Sequence, residues 1–204
     1  MRLTICLVLF IFVQVLHFAQ SEDVSAGTKK AWYQCEKEPT RIEEVNSKTE
    51  NQLTFNIQTT VTPDANKKKE FDWLVNYPQE YFTAYLINST DSVFQMERQD
   101  GSLIMIQEAK NEKGEWIPIE HWQHSWCGNS YMNPLVLNPG KQVLVPIKKY
   151  SGSFKTELRL KLKVGDKIVY SQAFKGSIDK GQFRQIYKEG SGDFHHGSSN
   201  YLDD

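Results

Sequence analysis

The sequence predicts an all-β protein built as one antiparallel β-sandwich domain. Three observations carry this expectation. Roughly seven to nine short apolar segments alternate with Gly, Pro, Asn and Asp turn signals. No stretch shows the period of an amphipathic helix. The segment Phe154 to Val164 sets Phe154, Thr156, Leu158, Leu160, Leu162 and Val164 on one face and Lys155, Glu157, Arg159, Lys161 and Lys163 on the other. That period of two belongs to a strand with one face in a core and one in water.

Residues 1–21 read as a secretory signal peptide. Met1-Arg2 supplies a positive start, Leu3 to Phe18 is almost unbroken apolar sequence, and Ala19-Gln20-Ser21 offers small residues for cleavage. The apolar run is short for a membrane span, and no later segment approaches the roughly 20 apolar residues that a spanning helix needs. The expectation is therefore a secreted, periplasmic or cell-surface protein without a membrane span. Residues 22–50 are polar and weakly patterned, apart from the apolar knot Ala31-Trp32-Tyr33-Gln34-Cys35, which reads as an N-terminal strand or clasp.

The sandwich domain is expected over residues 51–188. LTFNIQTTV from Leu53 alternates apolar and polar residues and predicts a half-buried strand. Pro63-Asp64 and Lys67-Lys68-Lys69 predict an exposed loop, followed by apolar runs at Phe71–Val75 and Tyr81–Ile87. Asn88-Ser89-Thr90 is a turn and a formal glycosylation sequon. Asp100-Gly101 is a hairpin signal leading into a buried strand at Leu103–Ile106. Pro146 confines the strand Val143–Ile147 to an edge or a bulge. Hydrophobic matching across Gly165-Asp166 favours a three-residue turn, with Val164 opposite Ile168, Leu162 opposite Tyr170 and Leu158 opposite Phe174. From Glu189 the sequence is EGSGDFHHGSSNYLDD, and this composition predicts a disordered tail over 189–204.

Charge is unevenly spread. Residues 22–140 carry 11 basic and 18 acidic side chains, whereas residues 141–188 carry 12 basic and 3 acidic ones. The basic face of Lys155, Arg159, Lys161 and Lys163 is either a docking surface for an anionic partner or a solvated strand face. Export, overall acidity and the lack of aromatics within that strand exclude a nucleic-acid partner.

The stretch Gly114 to Tyr131, GEWIPIEHWQHSWCGNSY, concentrates the chemically distinctive side chains: Trp116, Trp122, Trp126, His121, His124 and Cys127. Trp122, His124, Trp126 and Asn129 are the candidate binding residues. Exposed Trp122 and Trp126 would stack on sugar rings while Asn129 bonds hydroxyls; buried, they are core anchors. His121, His124 and Cys127 carry donors suited to zinc or copper, with Glu120 as a fourth, but their spacing suits a helix and this stretch reads as strand and loop. Cys127 beside two histidines could also be drawn as a nucleophile, yet no signature of such an enzyme is present. The expectation is a non-enzymatic protein without metal or cofactor. Export permits a disulfide between Cys35 and Cys127, which would close a loop of about 92 residues and add about 4 to 5 kcal/mol. Two separate thiols are the alternative.

The succession TAYLINSTDSVF, SLIMIQEA, GEWIPIE, SWCGNSY, FKTELRLKL and IVYSQAFKGSID, over about residues 80–183, resembles uncharacterised exported immunoglobulin-like β-sandwich proteins of Bacteroidetes type. The resemblance implies an immunoglobulin-like fold and an envelope or extracellular setting, and brings no known activity. Together with the residues it points to a binding or structural module that engages a protein partner, with a carbohydrate-binding module as the alternative and a metal or cysteine site at His121, His124 and Cys127 as a distant third.

Overall fold

The structure, a computed structural model, describes residues 27–35, 39–41, 52–59, 80–125, 127–184 and 199–202. The segment 1–21 read as a signal peptide, the run Phe71–Val75, Trp126 and most of the segment 189–204 lie outside the described residues. In chain order the strands are β1 (Lys29–Lys30), β2 (Tyr33–Gln34), β3 (Thr40–Arg41), β4 (Leu53–Gln58), β5 (Tyr81–Asn88), β6 (Phe94–Met96), β7 (Arg98–Gln99) and β8 (Ser102–Leu103). They continue with β9 (Met105–Lys110), β10 (Trp116–Pro118), β11 (Glu120–Gln123), β12 (Leu135–Leu137) and β13 (Lys141–Lys148). The last are β14 (Phe154–Val164), β15 (Lys167–Tyr170), β16 (Phe174–Ile178) and β17 (Ser199–Asn200). Two single-turn 3₁₀ helices, Gly128–Tyr131 and Lys180–Phe183, complete the set, and no α-helix occurs among the described residues. The protein is all-β, as the alternation predicts.

Two larger sheets carry most of the core. One is four-stranded in the order β3-β13-β5-β4. The other runs β10-β9-β14-β15, with β16 also paired to β14. Both are antiparallel; the pairing of β1 with β11 is parallel. Ala84, Leu86, Val143 and Val145 of the first sheet join Ala109, Leu158, Leu160 and Leu162 of the second in one buried cluster. Phe82 of β5 meets Phe174 of β16 edge-to-face at 5.7 Å, a favourable arrangement for two ring quadrupoles. Gly176 lets β16 lie close on β14, since a Cβ there would sit 2.4 Å from Leu158 Cδ1.

Several local expectations hold. Asp100 and Gly101, both at positive φ (51° and 81°), form the two-residue turn between β7 and β8, a conformation that Asp and Gly adopt more readily than β-branched residues. Pro146 lies opposite Thr83 of β5, while β3 reaches only Lys141 and Gln142. The proline therefore sits where β13 has an open side among the described residues, which suits a residue without an N–H.

The turn at Gly165-Asp166 corrects the expected register. It is a two-residue turn: Val164 stands opposite Lys167, Leu162 opposite Val169 and Lys161 opposite Tyr170. Ile168 and Tyr170 thus share a face with the lysines. Tyr170 is stabilised there because the Arg159 guanidinium lies 4.0 Å from its ring centroid. One extra residue is then absorbed after Ser171, whose N–H donates to Leu160 O at 3.0 Å while its Oγ accepts from Leu160 N at 2.9 Å. The bulge brings Leu158 opposite Phe174, as hydrophobic matching demands.

Both flanking segments are tied into the fold. The apolar knot Ala31–Cys35 docks as the strand its sequence suggests: Tyr33–Gln34 form β2, and Ala31, Tyr33 and Cys35 are buried in the core. At the other end β17 pairs with β11, Trp122 facing Asn200, and Leu202 is buried. Residues 199–202 therefore depart from the disordered tail that their composition suggests, because the neighbouring Gly/Ser run hides a short segment that finds a strand to pair with. Asn88 of the sequon is fully buried. Its amide donates to Ser92 O and Leu137 O, and its Oδ1 accepts from Thr90, so the side chain pins the turn.

Candidate functional site

Strand β11 displays the central stretch from Glu120 to Gln123, flanked by β1 and β17. Flanked this way, it buries Glu120, His121 and Trp122 together. Trp122 is only 3 % exposed, so it offers no face to a sugar; this overturns its role as a stacking platform. Its Nε1–H has no hydrogen-bond partner among the described residues, which marks a side chain placed for packing. His121 Nδ1 lies 3.1 Å from Thr28 Oγ1, and burial lowers its pKa, with Lys30 adding to the effect.

Beyond β11 the loop is held by Tyr131. Its hydroxyl donates to Gln99 Oε1 at 2.6 Å, accepts from Ser125 N at 3.0 Å and lies 2.9 Å from His124 Nδ1. The His124 ring stacks on the Tyr131 ring with centroids 5.1 Å apart. His124 and Asn129 are exposed on this loop, Trp122 is in the core, and Trp126 is outside the described residues. Of the four candidate residues, the structure leaves His124 and Asn129 able to meet a partner.

No bond joins Cys35 to Cys127 in this structure, so the two sulfurs are separate thiols. Cys35 is buried, with Arg98 Nη1 3.7 Å from its sulfur, whereas Cys127 is exposed at the start of the 3₁₀ turn. His121, His124 and Cys127 do not converge. Among the described residues no group of three or more His, Cys, Asp or Glu side chains is placed to hold a metal ion.

The structure assembles two features that no motif announces. The first is a buried polar cluster around Glu120. Tyr33 Oη and Tyr150 Oη donate to its two carboxylate oxygens, each at 2.5 Å, and Gln107 N donates to Oε2 at 2.8 Å. Gln107 Nε2 donates in turn to Tyr33 Oη and to Lys148 O, both at 2.8 Å. Burial raises the Glu120 pKa, against the opposing pull of the Lys148 ammonium and the three donors. Burial, and then the charge of Glu120, push both phenols well above their ordinary value. Glu120 is 1 % exposed, so its carboxylate meets no solvent. Its chemistry is that of a polar cross-link between β2, β9, β11 and the segment after β13. The polar pair Gln107-Glu108 inside the apolar run of β9 is the one sequence signal that points here, since buried polar groups require partners.

The second feature is an open groove of about 750 Å³ where the two larger sheets meet, within the range of small-ligand sites. Phe82, Tyr150 and Phe154 supply its apolar surface. Lys110, Lys149, Lys155 and Lys175 are among its lining residues, with one acidic residue, Glu157. Tyr150 belongs to both features: its ring lines the groove and its hydroxyl reaches Glu120.

The basic face of β14 divides between structure and solvent. Arg159 Nε donates to Glu108 Oε2 at 2.6 Å, and its guanidinium lies between the rings of Trp116 (4.5 Å) and Tyr170 (4.0 Å). Lys161 is buried with its ammonium 3.6 Å from Glu108 Oε1. These two cations share the Glu108 carboxylate inside the fold, whereas Lys155 and Lys163 are exposed.

Comparisons with protein-family models, with curated proteins and with solved structures find no match to this chain.

Proposed function

We propose that the chain is an exported, non-catalytic binding module of immunoglobulin-like β-sandwich build, and that it takes a protein or glycan partner at the groove lined by Phe82, Tyr150 and Phe154. The groove carries this reading: it sets the half-buried rings of Tyr150 and Phe154 beside exposed lysines, with the buried Phe82 among its lining residues. The polar cluster beneath it supports the reading, because Glu120 fixes the Tyr150 ring from behind and so preorganises one wall. Export rests on the leader pattern of residues 1–21, and the immunoglobulin-like build on the order of motifs between residues 80 and 183. With Trp122 buried, a carbohydrate reading moves from the central loop to this groove.

A solution NMR screen of the ¹⁵N-labelled chain against oligosaccharides and peptides tests the reading. Shifts clustered on Tyr150, Phe154, Lys155 and Ser177 support it. Shifts confined to the loop of His124 and Asn129 overturn it and return the site to the central stretch.

A further inference from the structure

We propose that the groove takes an acidic oligosaccharide, a chain of sugar rings bearing carboxylate or sulfate groups; this deepens the groove reading above and rests on it. The first argument is charge. Lys110 is engaged by Glu157 at 2.6 Å, and Lys149 by Glu80 at 2.5 Å. Lys155 and Lys175 have no carboxylate within ion-pair distance among the described residues, and both are exposed. Lys175 faces Glu157 across the ladder and acts on it only at longer range. Two ammonium groups are therefore left to meet an incoming anion.

Their spacing is set by the sheet. Lys155 stands opposite Ser177 and Lys175 opposite Glu157, so the two lysines are diagonal neighbours on one face. Diagonal positions lie roughly 7–8 Å apart, and long side chains reach across that gap. Acidic substituents on neighbouring rings of a sugar chain are separated by a comparable span. A chain of charged rings can meet both ammonium groups along its length.

The second argument is the interleaving of rings with cations. Lys149 Nζ lies 5.7 Å from the centroid of Phe82, Lys148 Nζ 5.6 Å from Tyr150 and Lys180 Nζ 5.2 Å from Phe154. Lys149 and Lys180 are held in place by Glu80 and Glu112, so these contacts position the rings, and the free charge at the groove is that of Lys155 and Lys175. A pyranose offers the matching combination, an apolar C–H face with anionic and hydroxyl groups around its rim. An acidic peptide offers the charge without a flat apolar body. Thr59 and Ser177 add hydroxyls for the sugar's own hydroxyl groups.

The test is calorimetric titration of the full chain, with NMR mapping, using four probes of equal length: a galacturonate hexasaccharide, a sulfated glucosamine–uronate hexasaccharide, a neutral glucose hexasaccharide and hexaglutamate. The expected result is that the acidic sugars bind with shifts at Tyr150, Phe154, Lys155 and Ser177, and that the neutral sugar binds at least about tenfold more weakly. Added salt should weaken the acidic complexes, as screening of exposed charges requires. The double variant Lys155→Gln, Lys175→Gln removes two exposed side chains without ion pairs, so it should unfold at the same urea concentration as the parent and bind the acidic sugars at least about tenfold more weakly. Groove binding of the neutral sugar as tight as that of the acidic ones would overturn the inference and leave the groove reading standing. Equal binding of hexaglutamate in the groove would replace the sugar by an acidic peptide. Acidic sugars that shift only residues outside the groove would sink the groove reading and the inference together.

Discussion

The Tyr150 hydroxyl donates to Glu120 Oε1 at 2.5 Å, and this bond fastens the wall of a solvent-facing groove to a carboxylate sealed in the core. Tyr33 holds the other oxygen of the same carboxylate from the N-terminal segment. Removing either phenol leaves a buried charge with fewer donors. Tyr150→Phe and Tyr33→Phe should each lower stability by about 1 to 3 kcal/mol. Tyr33→Phe should lie at the upper end, because it also deprives Gln107 Nε2 of an acceptor. Urea unfolding of the two variants beside the parent measures both; parent-like midpoints for both would mean that the cluster contributes nothing.

The cluster also sets the sign of a pH dependence. Burial raises the Glu120 pKa in the folded state, so between the ordinary carboxylate value and that raised value the folded chain holds a proton that the unfolded chain has released. Stability must then fall as pH rises through this window. Glu80, Glu112 and Glu157 work the other way. Their lysine partners, Lys149, Lys180 and Lys110, lower their pKa values, so their contributions are present above the ordinary carboxylate value and lost as pH falls below it. A series of urea midpoints against pH should show a decline on the alkaline side of the ordinary carboxylate value in the parent, absent from Glu120→Gln. The same decline in both proteins would assign it to another group.

Arg159 is predicted to matter for stability more than the other exposed-face cations. Glu108 is buried, and Arg159→Ala leaves it only Lys161 at 3.6 Å. The cost should be about 2 to 4 kcal/mol, near the lower part of the range for breaking a buried pair because Lys161 remains. Arg159→Lys keeps the charge and loses the planar stack between Trp116 and Tyr170, and should cost about 1 kcal/mol. Lys163→Ala, on the same strand face but exposed, is the control and should be nearly silent.

The two cysteines should separate by reactivity. On the chain lacking residues 1–21, a maleimide should label exposed Cys127 in the folded protein and buried Cys35 only after unfolding. Mass spectrometry would then count one adduct in native buffer and two in denaturant. Adducts that appear only after reduction would show instead that the two sulfurs are bonded.

Much of the sheet was legible from alternation alone. Strand β14 falls on the residues its pattern marks, and Asp100-Gly101 turns where the dipeptide says it should. The register of β15 was not legible. Hydrophobic matching assumes that Tyr170 belongs with the leucines, whereas its ring lies on the Arg159 guanidinium, a contact between residues that no local pattern joins. The site was hidden for a related reason. Chemical density drew attention to Gly114–Tyr131, but density along the chain says nothing about exposure, and pairing on both sides of β11 buries Trp122. The groove draws its lining from Thr59 to Ser177, each residue ordinary in its own segment. Only the meeting of the sheets brings them into one groove.

Strand β11 takes β1 on one side and β17 on the other, so residues near 29 and near 200 are zipped onto the same short segment around residue 121. Neither pairing is local, and the second cannot form until residue 199 has left the machinery that makes the chain. A chain emerging from its N-terminus can collapse around Tyr33 and Glu120 early, but the flank of Trp122 stays uncovered until residues 199 and 200 have been made. Loop closure over such separations slows the last step of folding and lengthens the life of an open strand edge. Removing residues 199–204 would thus trade a small loss of sequence for a persistent aggregation-prone edge beside Trp122.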